Sequence, residues 1–148
     1  MLVALPCASA LAASANPPEK RQELPEVASR TYGQNFKDLV LSSCVAAAYA
    51  SEPKAEADAG ATAGGLDSTW TNYDPELAAG EIIKLIEKYL ARQYNSIQGP
   101  SIKLDLMKCL DLYHAARYLE LLAIDVVPEP ARTCLQDTER ATKKVVSP

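Results

Sequence analysis

Apolar residues in this chain recur every three or four positions through three long stretches, and they nowhere alternate in twos over the length of a strand. That periodicity builds helices. From Thr31 to Ala50, Phe36, Val40, Cys44, Ala47 and Ala48 fall on one face, and Leu39 and Leu41 widen it. From Asp74 to about Tyr94, Asp74 is placed to cap and Pro75 to sit at the first helical position, where its missing N–H is no loss. Ile82, Ile86, Tyr89 and Leu90 then form an apolar ridge. A third stretch opens after Gly99-Pro100 with Ser101 as cap, aligns Ile102, Leu106, Cys109, Leu110 and Tyr113, and runs to about Leu122, before Val126, Val127 and Pro128 close it. Ala55 to Thr71 is rich in Ala but carries Gly60, Gly64 and Gly65, each weakening a helix by roughly 1 kcal/mol relative to Ala, so a short or broken helix is expected there. The expected fold class is all-α, a small bundle of about four helices.

A length of 148 residues suits one domain with one core. Residues 1–15 carry no charge and end in small residues at Ala13 and Ala15, the pattern of a signal peptide cleaved before Asn16. This segment lacks the usual basic start and is too short to anchor the chain in a bilayer. Residues 16–30, with Pro17, Pro18 and Pro25, are expected to be a mobile lead-in, because proline blocks backbone pairing. Residues 31–127 then form the helical domain, and residues 128–148 a polar tail with room for one short helix. The expected location is the periplasm, with no membrane insertion. A formal net charge of −4 has the wrong sign for broad attraction to phosphate backbones, so no nucleic-acid partner is expected.

Removing Cys7 with the signal leaves Cys44, Cys109 and Cys134. Cys44 and Cys109 lie on the apolar faces of two long helical stretches. Facing helices would bring them together, and in an oxidising compartment the pair would close a long loop. The alternative is two buried thiols filling core positions, since free cysteine is among the most buried residue types. Cys134 is left over, either a free thiol or a link between two chains.

Catalytic chemistry finds little support. The one histidine, His114, lies five residues after Cys109, and five residues turn a helix by about 140° from full register, which points the two side chains apart. Three dispersed cysteines and one histidine match no zinc spacing, and Gly64-Gly65 lacks the Lys and Ser/Thr of a phosphate-binding loop. Asp105, Asp111, Glu120 and Asp125 read as the solvated faces of amphipathic helices. No cofactor, no metal and no enzymatic activity are expected.

Several blocks nevertheless carry a resemblance. The run Tyr32-Gly-Gln-Asn-Phe-Lys-Asp38 with Ser43-Cys44, then Trp70-Thr-Asn-Tyr73, then Lys88-Tyr-Leu-Ala-Arg92 with Lys108-Cys-Leu-Asp-Leu-Tyr-His114, resemble in residues and in order the immunity proteins of type VI secretion amidase effectors. The resemblance covers Thr31 to about His114. It implies a periplasmic helical homodimer that occludes the active site of a secreted, cysteine-peptidase-like amidase that cuts peptidoglycan, forming a hetero-oligomer with it. It also implies that Cys44 and Cys109 form an intramolecular disulfide. A plug for an active-site cleft needs a projecting element, and Tyr94, Asn95, Ser96, Ile97, Gln98 and Gly99 are the candidate loop, because Gly99-Pro100 breaks the chain between two helices. A mere connector is the alternative for this segment. Trp70 and Tyr73 are secondary interface candidates, aromatics being enriched at interface hot spots, although core packing suits Trp70 better. The competing functional reading is a periplasmic adaptor or structural domain with another protein partner.

Overall fold

A computed structural model describes residues 25–99 and 101–146, so the segment read as a signal peptide and the first part of the lead-in lie outside the described residues. Six α-helices make up the described fold: α1 (Tyr32–Ala48), α2 (Pro53–Gly65), α3 (Pro75–Leu90), α4 (Asp105–His114), α5 (Ala116–Val126) and α6 (Cys134–Val146). Among the described residues strand pairing is limited to two isolated bridges, Thr31 with Thr133 and Asn95 with Lys103. The all-α expectation holds. The number of helices exceeds four because one long pattern divides and two flanking segments are themselves helical.

Helix α1 is the centre of the bundle and touches α2, α3, α4 and α5. It starts at Thr31, whose hydroxyl accepts the Gln34 N–H at 3.2 Å while the Gln34 side chain accepts the Thr31 N–H at 3.0 Å. These reciprocal bonds satisfy two donors that the first turn otherwise leaves open. Tyr32, Asn35, Phe36, Leu39, Val40 and Cys44 are buried along one side at helical spacing. Helix α3 begins as the sequence suggests: Asp74 accepts the N–H groups of Glu76 and Leu77, and Pro75 sits in the first turn. Its buried ridge is Ala78, Ile82, Leu85, Ile86 and Tyr89.

The third periodic stretch departs from expectation. Ser101 caps nothing; the helix begins only at Asp105, after Leu104. Ile102 and Leu106, placed on the buried face by their spacing, are 58% and 46% exposed, whereas Cys109 and Leu112 are fully buried. The physical reason lies upstream: the Ile102 N–H and C=O are already bonded to Gly99 and Ser96, so the backbone there cannot enter a helix. The stretch also breaks at Ala115, whose ψ of 53° is not helical, giving α4 and α5 separate axes. Buried positions 109, 112, 119, 123 and 126 stay in helical phase across the break, so periodicity alone does not reveal it.

The Ala-rich segment differs in the other direction. It forms one unbroken helix, α2, through Gly60 and Gly64, with no buried residue, and the irregularity falls after it in a π-helical turn, Leu66–Trp70. Pro53 in the first turn and the alanines offset the glycines. The end of the stretch read as mobile is folded: Glu26–Ser29 make one 3₁₀ turn that buries Val27 and Ala28. The tail packs beside it. The N–H groups of Tyr32 and Gly33 donate to Arg132 and Pro130, at 2.7 and 2.9 Å. Gly33 permits this approach, because a Cβ there would stand 3.1 Å from the Pro130 carbonyl oxygen. Helix α6 follows, with Thr133 and Gln136 exchanging the same reciprocal cap as Thr31 and Gln34. Among the described residues no helix is long and apolar enough to cross a membrane.

Candidate binding loop

Cys44 on α1 and Cys109 on α4 are both fully buried and joined in a disulfide, with Cα atoms 5.7 Å apart. The choice left open between a bridge and two buried thiols is thereby decided. The crosslink ties α4 to the central helix and so fixes one end of the segment that joins α3 to α4. Cys134, fully buried at the start of α6, is also disulfide-bonded and is not a free thiol.

Residues 91–104 form the connection, and it is built as a closed projection. Its two arms pair antiparallel at Asn95 and Lys103. The Leu104 N–H donates to the Tyr94 carbonyl at 3.2 Å and the Ser96 N–H to the Ile102 carbonyl at 3.0 Å. Nearer the tip, the Ile102 N–H donates to the Gly99 carbonyl at 2.8 Å, and the Gln98 N–H to the Ser96 hydroxyl at 3.2 Å. Gly99 matters sterically, since a Cβ there would come within 2.8 Å of the Ile102 side chain. At the tip Ile97 is 100% exposed.

The base is held by side chains from both flanking helices. The Tyr94 hydroxyl donates to Asp111 on α4 at 2.7 Å and accepts from Arg92 at 3.0 Å, while the Arg92 guanidinium lies 3.8 Å from the centre of the Tyr89 ring. Lys108, 5% exposed, donates to the Leu90 carbonyl that ends α3 and to Asp105 at the start of α4. Its buried charge is therefore met by an acid and a carbonyl, as such burial requires. A shallow recess of about 280 Å³ lies at this base, bordered by Ala47, Leu90, Tyr94, Lys103 and Lys108.

Of the loop candidates, Asn95, Ile97 and Gln98 are exposed, while Tyr94, Ser96 and Gly99 are partly covered and shape the loop. Sequence reasoning missed the returning arm. The periodicity places Ile102 and Lys103 in a helix, yet they pair with the outgoing arm, and no local signal distinguishes Ile102 as loop from Ile102 as helix. Trp70 and Tyr73 sit elsewhere. Both pack against the core, the Tyr73 ring 5.5 Å from that of Phe36, and the Trp70 carbonyl accepts from Asn35 at 2.7 Å. They stand at the opposite end of α3 from the loop, and sixteen helical residues span about 24 Å, so the two candidates do not make one site. His114 is exposed and stacks edge-on against Tyr113, and the sulfurs of Cys44 and Cys109 are consumed in the disulfide.

Comparison with known proteins places this arrangement. No curated protein sequence matches the chain. The family model described as type VI secretion system amidase immunity protein matches residues 34–122. A structure from work on type VI-secreted toxins and self-resistance proteins of Serratia marcescens is 28% identical, with a TM-score of 0.70 over 84% of this chain and 99% of that one. A structure of the effector–immunity system Tae4/Tai4 from Salmonella typhimurium is 27% identical, with a TM-score of 0.57 over 68% of this chain and 94% of that one. The family match spans more than half of the chain, includes both bridged cysteines and the whole projecting loop, and agrees with the fold of both structures: this chain belongs to the family of type VI secretion system amidase immunity proteins.

Proposed function

We propose that the protein protects its producing cell by occluding the active site of a type VI secreted peptidoglycan amidase, with the loop from Tyr94 to Gly99 as the plug. The observation that carries this reading is Ile97, a large apolar side chain left wholly in solvent at the tip of a loop whose two arms are hydrogen-bonded together. A loop already ordered before binding loses less entropy when it enters a cleft. Burying the exposed isoleucine there would contribute about 2 kcal/mol. Such a protein blocks chemistry and performs none itself. Acting where peptidoglycan is cut, it belongs in the periplasm, and residues 1–15 read as the export signal that takes it there. A homodimer binding the amidase as a hetero-oligomer completes the proposal. Membership of the immunity family favours this reading over an adaptor with another partner.

The test is an amidase assay on isolated peptidoglycan with the cognate effector, titrated with the wild-type protein and with Ile97→Asp. The substitution is expected to weaken inhibition on the order of thirtyfold while leaving the helical circular dichroism unchanged. Full inhibition by the variant would remove the loop from the interface. Failure of the wild-type protein to bind any secreted amidase would remove the function.

A further inference from the structure

The base of the projecting loop offers chemistry that its tip lacks. Between Arg92 and Lys103 the chain carries no charged side chain, so the tip itself is neutral. Lys103, on the returning arm opposite Asn95, is exposed and has no ion-pair partner among the described residues. It borders the recess of about 280 Å³ together with Asn95, Asp105 and Lys108, while Ala47 and Leu90 supply apolar wall. That volume falls just below the roughly 300 Å³ at which small-molecule pockets begin, so the recess has room for one side chain rather than for a cofactor.

Lys108 is the unusual member of this lining. An ammonium has three N–H donors. Two of them meet the Leu90 carbonyl at 3.1 Å and the Asp105 carboxylate at 2.6 Å, and the third has no protein acceptor among the described residues. Lys108 is buried, and its bonds to the end of α3 and the start of α4 hold it in place. An open donor on a buried ammonium favours an acceptor, above all a charged one, that enters beside it. The charge of Asp105 is already engaged by Lys108, so two lysines against one aspartate leave the recess with one positive charge in excess. The first turn of α4, which no side chain caps, adds to the same sign. The chain as a whole carries −4, so this is a local reversal of its charge.

We propose that this recess takes a carboxylate, supplied by an acidic side chain on the rim of the amidase cleft, with Lys103 and the open donor of Lys108 as its partners. The proposal rests on the reading of the loop as the plug: when residues 94–99 fill the cleft, the recess at their base lies at its mouth. Burial of Ile97 supplies affinity for any cleft with an apolar pocket. The contact at Lys103 discriminates among amidases by the charge of their rims.

Binding of the cognate amidase, measured by isothermal titration at low and at physiological salt, tests the proposal. Lys103→Glu is expected to weaken binding by about tenfold or more at low salt, and Lys103→Met to weaken it less and to flatten its salt dependence. Lys103 is exposed, so both variants should keep the wild-type circular dichroism; Lys108 is left unchanged because its loss would open the loop base. With each acidic residue of the amidase rim replaced by Lys in turn, one amidase variant is expected to bind Lys103→Glu more tightly than it binds the wild-type protein. Wild-type affinity and salt dependence in both Lys103 variants would overturn the proposal. Failure of every rim substitution to restore Lys103→Glu would overturn the rim contact, and N-acetylglutamate binding to isolated wild-type protein but not to Lys103→Glu would then assign the recess to a free carboxylate. Loss of binding in Ile97→Asp with full binding in both Lys103 variants would remove the rim contact and leave the plug. Full binding in Ile97→Asp would remove the plug itself, so the two readings fail separately.

Discussion

Asn35 shows how much one polar side chain can organise when it is fully buried. Its amide donates to the Val27 carbonyl at 3.1 Å and to the Trp70 carbonyl at 2.7 Å, joining α1 to the 3₁₀ turn before it and to the end of the π-helical turn. Asn35→Ala leaves both carbonyls without that donor and should lower stability by about 2 kcal/mol, read as a shift of the urea midpoint. Tyr94 plays a comparable part at the base of the loop. Tyr94→Phe keeps the ring but removes the hydroxyl between Arg92 and Asp111, so it should destabilise the protein by about 1 kcal/mol and weaken inhibition less than Ile97→Asp does. At this scale the sequence was half legible. Ile97 could be found because Gly99-Pro100 marks a break next to it. The Tyr94 to Asp111 bond could not, because its partners lie on different elements and no spacing rule links them.

Among the elements, α4 depends most on a covalent tie. The disulfide joins residues 65 apart, and in the chain-entropy model such a crosslink contributes about 4 kcal/mol. Reduction with dithiothreitol should therefore lower the urea midpoint by a corresponding amount and, by freeing α4, loosen the loop base and weaken amidase inhibition. If reduction changed stability but left inhibition intact, the loop would owe its geometry to its own hydrogen bonds and the Tyr94 cluster. Helix α2 is the opposite case: it has no fully buried residue, and it packs on α1 through half-covered small residues such as Ala63, so helix propensity carries more of its sequence than burial does. The bend at Ala115 explains why one apolar pattern became two helices: the spacing of buried residues reports which side faces the core, and it is silent about the direction of the axis.

For the molecule as a whole, three tyrosine hydroxyls act as ties, those of Tyr32 and Tyr113 between distant segments and that of Tyr73 across six residues. The Tyr32 hydroxyl donates to Asp137 on α6 at 2.7 Å, that of Tyr113 to Asp38 on α1 at 3.3 Å, and that of Tyr73 to Asp67. Burial, the largest cause, raises all three hydroxyls above their ordinary value of 10.0; nearby Asp67 adds to it for Tyr73 and Asp38 for Tyr113, while Arg132 partly opposes it at Tyr32. An acid whose folded pKa is raised holds its proton longer in the native state than in the unfolded chain. Stability from these groups is complete below about pH 10 and is lost as pH rises from there through the folded values. Urea titrations at stepped pH should show a flat region up to about pH 10 and a fall beyond it, with a shallower fall when the three tyrosines are replaced by Phe. An equal fall in the triple variant would place the alkaline limit in other groups.

The sequence by itself determined the all-helical class, the cap at Asp74, most of the buried faces of α1 and α3, the break near Gly99-Pro100 and, through ordered blocks of residues, the family. All of these depend on side chains within a few positions of one another, where spacing translates directly into geometry. Only the tertiary structure decided that Cys44 and Cys109 meet, that the third pattern bends at Ala115, and that Ile102 belongs to the loop. It likewise showed that the tail returns to pack beside the start of α1. Each of those outcomes is set by groups far apart in the chain competing for the same partners, a contest that local periodicity does not record.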